Sequence, residues 1–473
     1  MKISNLSIIA TMLIVGCKTI DPVPVGHQQI AAKGSSNYSS SIYAGPSDAS
    51  KWLSKNAVLH FDKISKFSKE LSPNINLYLD AYGTIYPESG YGDFVLDNSE
   101  KQLSRYGGDI SWALGESDSY LCRTAEGGDL QAMCSASAQD VEIIQDALWA
   151  SKAEEILEQF DKTDVRDKDL VVLIHGFNVP DSTDDYNEVI RRLDERDNNV
   201  KERVYLQVHW DGGGKDSGIR ALTKWRRAQY TGPVVGFELR RLFNSINDIS
   251  KKRGIESPSI RVITHSSGAF LVGATFGNPS SALPALKDGN DIYRDFKTHL
   301  IDQSGRWRVP AIKDLTLGMV APATGSWTFT GFVKNSPSSH DLQNFAVATD
   351  SEGAGWFDFK RGLQIKDARI VTTQKRSDVA VGKYGFSPAF LGATHLGALK
   401  SSNCEVQQWA KKRGLHTDVL ALDFTPTPND VIRERPKRKT SHSWRYYINQ
   451  DASNEFIDFF FDQAPATEFK IDC

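Results

Sequence analysis

The sequence predicts an α/β domain with a mostly parallel sheet flanked by helices and interrupted by insertions. Three observations carry this. Short apolar, β-branched runs alternate with stretches of helical spacing from about residue 163 onward. Leu170 to Ile174 is apolar at every position, as a parallel strand covered on both faces requires. Ile260 to Thr264 is a further such run, and it passes without a spacer into His265, Ser266, Ser267 and Gly268 and then a small, apolar helical stretch.

The chain of 473 residues suits one large domain with accessory segments. Its 56 basic and 59 acidic residues give a net charge of −3, which argues against a dedicated nucleic-acid binder and against an acidic disordered chain. Residues 1–17 read as a signal segment: Lys2, an apolar stretch from Leu6 to Val15, then Gly16 and Cys17. No other stretch approaches the ~20 apolar residues of a membrane span. Residues 18–50, rich in Ser, Gly, Pro and Asn, read as a flexible tether.

Residues 51–162 form an accessory segment that joins the sheet. Within it, Ile75 to Leu79 alternates like a strand and runs into a turn and a second strand between Asp80 and Pro87. Asp80 is read as turn-forming. Val141 to Phe160 has helical spacing.

The domain proper, 163–473, continues with the strand ending at Ile174 and the turn His175, Gly176, Phe177, Asn178. A helix over Thr183 to Arg196 and a strand over Arg203 to Val208 follow. Next come a flexible loop from His209 to Gly214 and a helix from Val234 to Ile249. Beyond the Ile260 strand lie strands at Leu315 to Val320, Ala368 to Thr373 and Val419 to Phe424, and a closing helix at Asn454 to Phe461. Long insertions at about 278–310 and 325–362, and the stretch Lys224 to Tyr230, are candidates for a lid or substrate rim. The basic run Arg433, Arg435, Lys437, Arg438 and Lys439 lacks interleaved aromatics and reads as a solvated loop.

The run Thr264-His265-Ser266-Ser267-Gly268 comes close to G-x-S-x-G, the sharp strand-to-helix turn that projects a serine hydroxyl at the sheet edge. Thr264 stands where that pattern has its first glycine. With the turn at His175-Gly176-Phe177 and acidic and histidine residues after later strands, the chain order resembles the α/β-hydrolase superfamily in its bacterial lipase/esterase-like branch, over about residues 169–461.

The resemblance implies a triad in the order Ser266, Asp378, His442. The serine would attack an acyl carbonyl, His442 would take and return its proton, and Asp378 would orient the imidazole. It further implies an oxyanion hole from the N–H groups of Phe177 and Ser267. Asp350, Glu352 and Asp358 stay open as rivals for the acid, Ser267 is the rival nucleophile, and His395 reads as structural or pocket-lining. His175 is expected to hold its loop.

The expected activity is cleavage of a carboxylic ester, with an acyl ester, lipid included, as partner and no metal or organic cofactor. The same triad would serve a thioesterase, acyltransferase or amidase. A non-catalytic envelope lipoprotein using the fold as a binding scaffold is the alternative from another class.

The end of the signal segment resembles the lipobox of bacterial lipoproteins. That resemblance implies lipid on Cys17, an N-terminal membrane anchor and, with Lys18 next, the outer membrane. Cys122, Cys134, Cys404 and Cys473 then form an even set in an oxidising compartment, and three pairings are possible. The pairs Cys122–Cys134, closing a short loop, and Cys404–Cys473, stapling the C-terminus, are expected.

Overall fold

The structure is a computed structural model. It describes residues 74–79, 83, 138–161, 168–176, 183–196, 202–210, 219–276, 310–325, 365–375, 378, 380–381, 395–413, 417–425, 442–463 and 468–473. Cys17, Cys122, Cys134 and Phe177 lie outside these residues, as do most of the expected turn and second strand after Leu79, the loop Asp211–Gly214 and the two long insertions.

Seven strands form a single sheet: β1 (Asn74–Leu79), β2 (Lys168–Ile174), β3 (Glu202–Trp210), β4 (Ser259–His265), β5 (Ile312–Val320), β6 (Ile365–Gln374) and β7 (Thr417–Asp423). Their order is β1-β3-β2-β4-β5-β6-β7, and every neighbouring pair is parallel. The last residues add an antiparallel bridge between Leu422 and Lys470. The apolar run of β2 is buried along its length because a parallel sheet needs cover on both faces. Each fully buried Val, Leu or Ile of this kind contributes roughly 1.5–3 kcal/mol.

Two helical layers provide the cover. Helices α1 (Ala138–Asp161), α3 (Ile219–Arg253) and α4 (Gly268–Phe276) pack on one another; α2 (Thr183–Arg196), α6 (Trp444–Ile448) and α7 (Ala452–Phe460) form the other group. Helix α5 (Lys400–Arg413) packs beside β7 and β6. It was not legible in the sequence, where its polar residues show little apolar periodicity.

Several boundaries differ from expectation. Strands β5 and β6 begin at Ile312 and Ile365, and α1 at Ala138, each ahead of its expected start. Strand β3 extends through His209 and Trp210, which the sequence reading places in a loop. Helix α3 begins well before Gly232 and Pro233 and runs through them, instead of starting at Val234. Proline inside a helix removes one hydrogen bond and is normally a stop signal. Here the close crossing with α4 outweighs it. A Cβ on Gly236 would lie 2.1 Å from the Leu271 carbonyl oxygen, and Thr275 Oγ1 donates across the crossing to the Gly236 carbonyl at 2.8 Å.

At the N-terminal edge of the sheet, buried Arg261 of β4 pairs through Nε with Asp169 of β2 at 2.8 Å. Its Nη2 pairs with Asp462, just after α7, also at 2.8 Å. Arg369 of β6 meets the same carboxylate at 3.0 Å. This network ties three strands to the closing helix. It leaves the opposite edge, where the strands end, free for chemistry. The chain terminus is held separately, by a disulfide between Cys404 of α5 and Cys473.

Candidate active site

Strand β4 stops at His265, and Ser266 turns the chain into α4 with φ at +54°. A non-glycine residue seldom adopts this left-handed conformation, which costs roughly 1–2 kcal/mol. Neighbouring hydrogen bonds hold it there. Ser266 N–H donates to the Val320 carbonyl at 2.9 Å, and Ala323 N–H donates to the Ser266 carbonyl at 3.0 Å. The turn is thus clamped to the end of β5.

Small residues are needed on the other side as well. A Cβ on Gly176 would sit 2.7 Å from Ser266 Cβ, and one on Gly268 would sit 2.9 Å from the His175 carbonyl oxygen. The end of β2 therefore lies directly against the serine turn. Ser267 is fully buried, and its Oγ has no hydrogen-bond partner among the described residues.

The chain after β7 returns to this edge with His442, one residue before Ser443 caps α6. Ser443 Oγ accepts from Tyr446 N–H. His442 Nε2 lies 3.0 Å from Ser266 Oγ, and its Nδ1 lies 2.7 Å from Asp378 Oδ2. Asp378 follows β6 and is fully buried. Its Oδ2 also accepts from the Tyr447 hydroxyl at 2.7 Å. Its Oδ1 accepts from the backbone N–H of Ala380 at 2.9 Å and of Val381 at 3.4 Å.

Burial by itself would raise the carboxyl pKa. The His442 imidazole, with the hydrogen bonds from His442, Tyr447 and Ala380, brings it down to about 2. The carboxylate is thus ionised across the neutral range and can only accept. That assigns the proton to His442 Nδ1 and turns the Nε2 lone pair toward the serine hydroxyl.

His175 is held as firmly. Trp210 N–H donates to His175 Nε2 at 3.1 Å, and the Trp210 indole donates to the His175 carbonyl at 2.9 Å. Because a backbone amide only donates, Nε2 is the acceptor and the His175 proton lies on Nδ1, 2.6 Å from the Gly176 carbonyl. His175 N–H donates to Tyr186 Oη, which donates in turn to the Val208 carbonyl at 2.6 Å. These contacts fix the turn that leads to Phe177.

Ser266, Asp378 and His442 therefore come together in one chain of hydrogen bonds, and Ser267 opens α4 beside them. For His395, the described backbone lies in a short 3-10 turn, His395–Gly397. Asp350, Glu352 and Asp358 fall outside the described residues. Sequence reasoning missed Tyr447, Trp210, Tyr186, Trp444 and the part played by His265. Tyr447, Trp210, Tyr186 and Trp444 reach the site from a strand end or from α2 and α6, at spacings that carry no motif. His265 lies inside the serine motif itself, which assigns it no role.

No protein-family model matches the sequence, and no curated protein does. Among solved structures, the chain is similar to a truncated carbohydrate esterase from gut microbiota, at 9% identity and a TM-score of 0.29 over 64% of this chain and 88% of that one. A carboxylesterase from Lactobacillus plantarum WCFS1 is similar at 9% identity and a TM-score of 0.27, over 57% and 74%. An esterase from Rhizomucor miehei is similar at 12% identity and a TM-score of 0.26, over 63% and 78%. The parallel strand order, the serine turn between β4 and α4 and the acidic and histidine positions after β6 and β7 rest on the chain's own geometry. By that geometry the chain has the α/β-hydrolase fold.

Proposed function

We propose that this protein is a serine hydrolase that cleaves carboxylic esters, of the carboxylesterase or lipase type, through an acyl-enzyme intermediate. The observation that carries the reading is the hydrogen-bonded line from Ser266 Oγ through His442 to Asp378, with the serine held at positive φ on a strand-to-helix turn. Such a line serves nucleophilic catalysis, because the imidazole can take the hydroxyl proton as the oxygen attacks.

In the proposed reaction Ser266 Oγ bonds to the acyl carbon while its proton passes to His442 Nε2. The oxyanion is received by the N–H of Ser267, at the start of α4, together with the N–H of Phe177. The ester C–O bond then breaks, and the proton leaves with the alcohol. Water, activated by the same imidazole, attacks the acyl-serine and releases the acid.

A fluorophosphonate probe tests the reading on the intact chain. The expected result is a single adduct whose peptide mass maps to Ser266. A folded protein that stays unmodified, or an adduct at another serine, rejects it. Esters of graded acyl length then define the substrate.

We further propose that lipid on Cys17 anchors the protein to the bacterial outer membrane. Labelled palmitate should be incorporated during expression and be lost in Cys17→Ser. Incorporation that survives the substitution rejects the anchor.

A further inference from the structure

The residue before the candidate nucleophile is built into the site in a way the proposed chemistry does not use. His265 closes β4 and is buried. It reaches sideways to the chain that follows β7, where Nε2 lies 2.7 Å from the His442 carbonyl oxygen. A carbonyl only accepts, so the proton of His265 is on Nε2.

The ring has little freedom. Trp444 stacks on it at 5.7 Å with 20° between the planes, and the His442 ring lies 4.8 Å away. Behind it, His265 Nδ1 is 3.3 Å from where a Cβ on Gly176 would be. Burial above all, with the adjacent His442, lowers its pKa to about 3. It therefore donates as a neutral group and adds no charge beside the base.

Resting on the ester-hydrolase reading, we propose that His265 is a positioning residue that holds the backbone of His442 through its Nε2–H. Two bonds separate the roles within this segment. The carboxylate of Asp378 sets the rotation of the His442 ring, and His265 sets where its main chain stands. Because His265 is joined covalently to Ser266, one side chain spans from the nucleophile's own strand to the base. Drift of the base is thereby measured against the group it must serve. Misplacement on the order of 1 Å costs roughly 100-fold in such a geometry.

Two substitutions separate the hydrogen bond from the packing. His265→Phe keeps a ring to stack on Trp444 and removes the donor. His265→Gln removes the ring and keeps a side-chain N–H at a similar reach. With 4-nitrophenyl acetate, His265→Phe should lower kcat roughly 100-fold and leave KM within about twofold. His265→Gln should stay within roughly tenfold of wild type, with a lower melting temperature.

Equal kcat in the Phe variant and wild type, or a Gln variant as slow as the Phe variant, overturns the proposal. Nitrogen-15 spectra of the wild-type chain decide the tautomer without reference to turnover. His265 should show a protonated Nε2 and a bare Nδ1 at neutral pH, and the reverse pattern overturns the proposal. A wild type that fails to hydrolyse any ester or to take the probe, yet shows the expected tautomer, counts against the hydrolase reading alone.

Discussion

Ser266→Ala is expected to lower ester turnover about a million-fold while leaving substrate binding close to wild type. The size follows from how the site works as a unit. Without the hydroxyl, His442 has no proton to take and no covalent intermediate can form, so the remaining donors assist only a direct attack by water. Adding His442→Ala to Ser266→Ala should then cost little more. The adjacent Ser267 gives the sharper control. Its side-chain oxygen has no hydrogen-bond partner among the described residues, and only its backbone N–H enters the proposed chemistry. Ser267→Ala should therefore stay within about threefold of wild type. If the Ser267 variant is the dead one and the Ser266 variant retains activity, the nucleophile has been misassigned.

Stability should move in the opposite direction at this position. Ser266→Gly keeps the turn but relieves the +54° conformation, so an inactive variant should gain on the order of 1 kcal/mol.

The legible and illegible parts of this site divide along a physical line. β2 and β4 were readable because both faces of a central parallel strand are buried, which writes a continuous apolar run into the sequence. Ser266, with small residues at Gly176 and Gly268, was readable because close backbone approach allows nothing larger. Asp378 and His442 were reachable through the order of strands, since each lies beyond a strand end.

Tyr447 and His265 were not legible. Their roles depend on which loop end faces which, a relation that has no period. Helix α5 escaped because its amphipathic signal is weak, although the pairing of Cys404, which it carries, with Cys473 was expected from the sequence and is present. The extension of α3 through Pro233 was lost because a local stop signal is overridden by packing against α4, which no window of sequence contains.

Asp378→Asn is expected to reduce kcat roughly 10,000-fold with the fold intact. The cause is the number of donors facing that carboxylate. His442 Nδ1 and the Tyr447 hydroxyl point at Oδ2, and two backbone N–H groups point at Oδ1. An amide has a single oxygen, so its NH2 must meet donors on one side. The backbone N–H groups cannot turn away, and they hold the asparagine oxygen. The NH2 is left facing His442, whose ring answers by giving up the Nδ1 proton and carrying it on Nε2.

That tautomer presents a hydrogen to Ser266 Oγ where a base must present a lone pair. The Tyr447 hydroxyl loses its acceptor in the same exchange. Tyr447→Phe should give a loss of about tenfold or less in the wild-type background and, because its hydroxyl has no carboxylate oxygen left to donate to, a smaller further loss in Asp378→Asn. Steady-state kinetics on the four proteins of this double-mutant cycle measure the coupling. Strictly additive losses would mean that the tyrosine and His442 do not compete for the same oxygen. A coupled result would place the tautomer of His442 under the control of a residue five positions further along its own chain.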